Sequence, residues 1–232
     1  MRCVRAILVM SVFLGGCDCL LPSPTGNGPS PAGQAFYEDW DTTPATPDAM
    51  RGWTFFLQSG FENHQASGGN PSGYIRGQFL AAGVPFFGTR DGLVKDYVEN
   101  KDYQTLGIIG LLFDLNVFEN TLMATARQLS VVLRSDGGTP NDFSDDVSVA
   151  YVSDTILPLP GSGWQSFQFA IPSQSETLPD GWKMLSSHPG ANWLTVIRDV
   201  DQIEVTFGDP ELVFLLDDMT VGVDNFAVRF LE

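Results

Sequence analysis

Acidic side chains are the commonest reactive groups of this chain, and they come in pairs. Asp145-Asp146 and Asp217-Asp218 are adjacent, Glu38-Asp39 is followed by Asp41, and Asp199 stands two residues before Asp201. Glycoside hydrolysis uses two carboxyls about 5–10 Å apart across a sugar ring, so loop carboxylates make a polysaccharide-active enzyme one candidate. An acidic chain also carries such pairs as a solvated surface, which is the simpler reading of Asp145-Asp146. His64 and His188 are the two histidines, each among Gly, Ser or Pro. A zinc site wants several His or Cys ligands at short spacing, and a nucleophilic triad needs a positioned serine beside its histidine. Neither pattern is present, so both histidines read as surface loop residues and no catalytic residue is assigned. The aromatic residues offer a different chemistry, because an exposed Trp or Tyr has an apolar face and a polar edge that suit a sugar ring. Trp53, Trp164 and Trp193 are assigned to the core. Trp182, between Pro179-Asp180-Gly181 and Lys183, is expected in a loop as an exposed platform, with Tyr74, Tyr97 and Tyr103 as companions. Arg76 and Arg90 are among only 12 Lys and Arg residues, and either could anchor a polar ligand or pair with a carboxylate.

The N-terminus says where such a site would work. Arg2 and Arg5 precede the apolar run Ala6 to Leu14, which ends in Leu14-Gly15-Gly16-Cys17. A short basic start, an apolar middle and small residues before a cut form an export signal. The run is too short to span a bilayer, which takes about 20 predominantly apolar residues. The cysteine directly after the small residues makes residues 1–16 similar to a bacterial lipoprotein signal, with Cys17 lipidated as the new N-terminus. An ordinary secretory signal cut near Gly16 is the alternative. Attachment of a diacylglycerol implies a stable anchor, since two chains hold where one does not. The expected location is the cell envelope, with the membrane as a partner through the lipid.

Removing Arg2 and Arg5 with the signal takes the net charge from −16 to −18. Such a surface repels nucleic acid and lacks the basic stripe that phosphate binding requires. Cys3, Cys17 and Cys19 are the three cysteines, so the body has no internal disulfide and must hold by packing. Residues 17–35 comprise the acylated cysteine and a Pro/Gly/Ser/Asn tether with little to bury. A folded domain is expected over 36–232.

That domain reads as β. Short apolar or alternating runs are separated by Gly, Pro, Asn and Asp. Strands are predicted at Trp53–Gln58, Gly73–Phe79, Leu106–Leu115, Gln128–Arg134, Val147–Val152, Trp164–Ala170, Gln202–Phe207 and Val223–Phe230. One short helix is expected from Asn192 to Val200, where Trp193, Val196, Ile197 and Val200 recur at helical spacing. Eight strands with long loops predict an all-β, two-sheet sandwich of jelly-roll type.

The order of motifs resembles the laminin B (laminin IV type A) domain of bacterial exported proteins. The resemblance opens at Gly68-Gly69-Asn70-Pro71-Ser72-Gly73-Tyr74-Ile75-Arg76 and continues through Pro85-Phe86-Phe87-Gly88 and Tyr103. It then runs through Leu112-Phe113-Asp114-Leu115, the strand Gln128 to Arg134, Trp164 with Phe167, and Gly181-Trp182, and closes at Asp224-Asn225-Phe226. It covers about Gly52 to Phe230, although Asp102 to Gly107 and the segment after Trp164 depart from the family pattern. The resemblance implies a galactose-binding-like jelly-roll and no particular reaction.

In a jelly-roll the first and last strands pair, which would bring Glu38 and Asp39 toward Asp224. Calcium takes six to eight oxygen ligands, so a structural Ca²⁺ joining the chain ends is expected at Glu38, Asp39 and Asp224. Otherwise no cofactor is required. Asp224-Asn225 capping a turn is the competing account. The whole reads as a non-catalytic recognition or structural module anchored to the envelope, facing a glycan or an envelope protein. The alternatives are an extracellular polysaccharide-active enzyme and a purely structural surface lipoprotein.

Overall fold

In a computed structural model of the chain, the residues described are 36–38, 40–41, 52–56, 62–89, 101–121, 127–139, 144–186, 188–212 and 216–231. The expectations for the signal, Cys17, the tether, Asp39, Arg90 and Tyr97 lie outside them. Among the described residues no helix is long and apolar enough to cross a membrane.

Twelve strands and two short helices make up the described fold. The strands are β1 (Phe36–Glu38), β2 (Trp53–Phe56), β3 (Glu62–Gln65), β4 (Tyr74–Ala82), β5 (Phe86–Thr89), β6 (Ile108–Asn120) and β7 (Gln128–Ser135). They continue with β8 (Val147–Ile156), β9 (Gln165–Ala170), β10 (Trp182–Met184), β11 (Gln202–Thr206) and β12 (Leu216–Phe230). One sheet runs β3-β4-β12-β6-β9 with β1 also on β12, and the other runs β10-β8-β7-β11-β5-β2. The pairings are antiparallel, and the result is the expected all-β jelly-roll sandwich.

The 15-residue β12 organises the first sheet. Leu216 to Val223 pair with β4, and beyond them β1 takes over the same edge, with Glu38 opposite Phe226. The first and last strands therefore meet. Period-two alternation sends Ile75, Phe79, Leu115, Val221, Val223, Phe167 and Phe169 into the core. There they meet Trp53, Phe55 and Phe87 from the second sheet. Trp53 stacks on Phe87 at 5.2 Å and lies 4.3 Å from Phe226, so the core is an aromatic knot between the sheets.

Local chemistry sets the helices. Asn192 caps α2 (Trp193–Ile197) by accepting from the Thr195 N–H, and Trp193, Val196 and Ile197 are buried. This helix is shorter than the predicted Asn192–Val200. A second helix was not expected: α1 (Tyr103–Leu106) stands where the third predicted strand begins. Asp102 accepts from the Thr105 N–H, and Gly107 closes the turn at φ 68, so this segment carries its own start and stop. Along β11, Ile203, Val205 and Phe207 face inward as expected. Glu204 on the opposite face is buried too, held by a two-pronged bond from Arg134 at 2.5 and 3.1 Å.

Candidate functional site

The alternation that buries one face of the first sheet puts Tyr74, Arg76 and Gln78 of β4 on the other. Thr220, Gly222 and Asp224 of β12 and Asp114 and Asn116 of β6 share that outer face. Register then lines residues up across the strands. Asn63 lies opposite Arg76, Arg76 opposite Gly222, and Gly222 opposite Asn116. Trp164 extends this row, because it precedes Gln165, the partner of Leu115. In the neighbouring row Gln65 is opposite Tyr74, Asp224 opposite Asp114, and Asp114 opposite Ser166.

Three aromatic rings meet on this face. Tyr74 and Trp164 approach edge to face at 5.2 Å and 78°, and Phe118 lies 5.8 Å from Tyr74 and 6.3 Å from Trp164. The Arg76 guanidinium sits 5.0 Å above the Phe118 ring, a cation–π arrangement. Gly222 makes the cluster fit, since a Cβ there would lie 2.8 Å from Tyr74 and 2.9 Å from the Trp164 ring. Tyr74 is buried, which raises its pKa against the opposing charge of Arg76. Trp164 and Arg76 are half-buried and hold the more accessible positions.

The loop 66–73 is tied down beside these rings. The Asn70 N–H donates to Asp224 Oδ2 at 2.6 Å, and its side-chain amide donates to Asp114 Oδ2 at 3.0 Å. Asn225 adopts φ 50, a left-handed conformation that asparagine tolerates, at an irregularity in the β12–β6 register. Its amide donates to Asp114 Oδ2 at 2.6 Å and to the Asn70 carbonyl. Ser166 Oγ donates to Asp114 Oδ1 at 2.5 Å, and the Asn225 N–H donates to Asp224 Oδ1 at 2.8 Å. Trp164 Nε1 donates to the Gly68 carbonyl at 2.9 Å, which joins the loop to the aromatic cluster. The Gly73 N–H donates to Asp41 Oδ1 at 2.7 Å, and a Cβ on Gly73 would lie 2.3 Å from the Trp40 carbonyl. Burial raises Asp224 to a pKa of about 7; the Asn70 and Asn225 N–H groups oppose this and the charges of Asp41 and Asp114 add to it.

The structure corrects several site expectations. Trp182 is not an exposed platform: it opens β10, is 6% exposed, and packs 5.2 Å from Trp193. Its parity matches inward Met184, with Lys183 between them facing away. Tyr103 is fully buried on α1 and offers no face to a ligand. Trp164, assigned to the core, is instead on the outer face. It shares the parity of Ser166 and Gln168, while Phe167 and Phe169 point inward; that parity was the signal available in the sequence. His64 is in strand β3 rather than a loop, with Nε2 donating to the Trp40 carbonyl at 2.7 Å. Tyr74 and Arg76 do come together.

The calcium expectation meets a poor donor set. Glu38 is buried opposite Phe226, whereas both Asp224 oxygens already accept backbone N–H bonds. Burial disfavours the charged form of Asp224, and Asp39 lies outside the described residues; we expect no calcium at Glu38, Asp39 and Asp224. A melting temperature unchanged by EDTA or by millimolar calcium is the expected result; a calcium-dependent rise would overturn this assignment. The three acidic residues among those described that converge within 4.8 Å are Asp136, Asp199 and Asp201. Asp201 accepts from the Asp136 N–H at 2.6 Å.

No protein-family model matches the sequence, and no curated protein matches it. Solved structures share its outline. An exo-β-agarase is 11% identical with a TM-score of 0.46, over 84% of this chain and 24% of the agarase chain. A CBM22 xylan-binding domain from Paenibacillus barcinonensis is 11% identical with a TM-score of 0.45, over 84% of this chain and 99% of that one. The L4b domain of human laminin α-2 is 17% identical with a TM-score of 0.36, over 63% of this chain and 70% of that domain. At these identities and TM-scores the likeness carries nothing about function.

Proposed function

We propose that the chain is a non-catalytic glycan-recognition module, displayed from the cell envelope on a tether behind a lipidated Cys17. The observation that carries this reading is the cluster of Tyr74, Phe118, Trp164 and Arg76 on the outer face of the first sheet, opposite the core. An indole at a half-buried position offers an apolar face for the axial C–H groups of a sugar, and amide neighbours supply hydrogen bonds to its hydroxyls. Asp114 and Asp224 are the two carboxylates in register on that face, and their oxygens accept from Asn70, Asn225 and Ser166. They are engaged in holding a loop, which supports binding over acid–base catalysis. The export signal and the Pro/Gly/Ser tether support the envelope location.

Affinity electrophoresis of the purified chain against immobilised polysaccharides tests the reading. Trp164→Ala is expected to weaken retention by at least about tenfold, the size of a central aromatic contact. Gly222→Ala, which forces the Tyr74 and Trp164 rings to shift, is expected to weaken it less. Unchanged retention in Trp164→Ala would remove the aromatic site from consideration, and release of reducing ends would make the protein an enzyme.

A further inference from the structure

We propose that the ligand is an uncharged polysaccharide whose chain lies across the strands of the first sheet, along the row from Asn63 to Trp164. This rests on the glycan-binding reading and specifies the ligand class. The first argument is electrostatic. With 28 Asp and Glu against 12 Lys and Arg, the chain repels a polyanion at long range. On the face itself Asn63, Gln65, Gln78, Asn116, Ser166 and Gln168 are neutral polar side chains, while the carboxylates Asp114 and Asp224 are engaged by the loop. Arg76 is the cation of the cluster, and its guanidinium is engaged over Phe118. A polyuronate or sulfated glycan would bring one anion per residue or two toward Asp114 and Asp224, with a single Arg76 to meet them. An uncharged chain has no such mismatch, and amides serve its hydroxyls as both donors and acceptors.

The second argument is geometric. Four strands and Trp164, the residue before β9, contribute to the row Asn63, Arg76, Gly222, Asn116 and Trp164. Four inter-strand steps cover about 19 Å. That length accommodates several sugar rings of an extended chain rather than one terminal sugar, with the Trp164 indole reaching from the end of the row over Gly222. The Tyr74 and Trp164 rings pack over Gly222, so the aromatic surface sits at the middle of the row.

The test compares neutral probes (arabinoxylan, mixed-linkage β-glucan, galactomannan, agarose) with anionic ones (alginate, polygalacturonate, carrageenan) at about 50 and about 500 mM NaCl, a range over which exposed-charge attraction is strongly screened. Retention by a neutral probe, changing less than about twofold with salt, and none by the anionic set is the expected result. Binding confined to polyanions and lost in high salt would overturn the uncharged-ligand inference and leave glycan recognition standing. Equal retention on both sets would also overturn it. Silence on every probe would overturn both. For the neutral probe that binds, its hexasaccharide is expected to compete at least about tenfold better than its disaccharide. Equal competition would overturn the across-strand placement.

Discussion

Replacing Asp114 by alanine is expected to lower the melting temperature by about 6–12 °C and to abolish glycan retention. The carboxylate accepts from Ser166 Oγ on β9, Asn70 Nδ2 on the loop and Asn225 Nδ2 on β12. Alanine strips all three donors of their acceptor. An unsatisfied donor costs about 1–3 kcal/mol when buried, and water reaching the loop side offsets part of that. A net loss of about 3 kcal/mol corresponds to the stated shift at about 2–4 °C per kcal/mol for a domain of this size. Retention falls with it, because the freed loop no longer fixes the Gly68 carbonyl that holds Trp164 Nε1. Asp114→Asn separates shape from charge. Its Oδ1 can accept from Asn70 and Asn225 while its NH₂ donates to the Ser166 hydroxyl, which also accepts, so only the charge is lost and its melting temperature should fall between alanine and wild type. A shift below about 2 °C for Asp114→Ala in calorimetry would show that the loop does not depend on this carboxylate.

The clamp also shows where reading a sequence stops. Asn70, Asp114 and Asn225 are joined by bonds that span 44 and 111 residues, so no local spacing announces them. Their motifs are visible one by one, and only the register of β6 against β12 makes them a unit. All eight predicted strands exist because each carries enough apolar residues to show a period. The missed strands β1, β3, β5 and β10 are three or four residues long, and β3 (Glu62–Gln65) has no apolar residue at all. Its place comes from pairing with β4, not from propensity. Trp164 and Trp182 exchanged roles for a related reason. Both follow glycine and look alike in composition, and only strand parity separates the outward indole from the inward one. At α1 the apolar content of Leu106 suggested a strand, whereas the Asp102 and Gly107 caps, both legible, decide for a helical turn.

Acidification from about pH 8 to about pH 5 is expected to stabilise the fold, against the usual expectation for a protein rich in carboxylates. Asp224 and Asp201 both titrate in the folded chain at about 7. The first cause at each is burial, with Asp41 and Asp114 adding to it at Asp224, and Asp199 and Asp136 at Asp201. In the unfolded chain an aspartate titrates near 3.9. Between these values the folded state holds protons that the unfolded state has released, so stability falls as pH rises. The contribution is complete below about 4 and lost above about 7. Asp102 and Asp209 are lowered and act in the opposite sense, but their window lies below the ordinary aspartate value, outside this range. Lys183 and Arg134 are raised and act only in alkali. Melting temperatures measured across this range should therefore rise toward the acid end. Asp224→Asn should flatten the profile, even where its absolute stability drops because an amide NH₂ now faces an N–H donor. Neutralising exposed Asp154 changes net charge by the same unit and controls for general repulsion, so Asp154→Asn should leave the slope intact. A wild-type profile that is level or climbs toward pH 8, or an Asp224→Asn slope equal to that of Asp154→Asn, would remove Asp224 as the group that titrates beneath the loop.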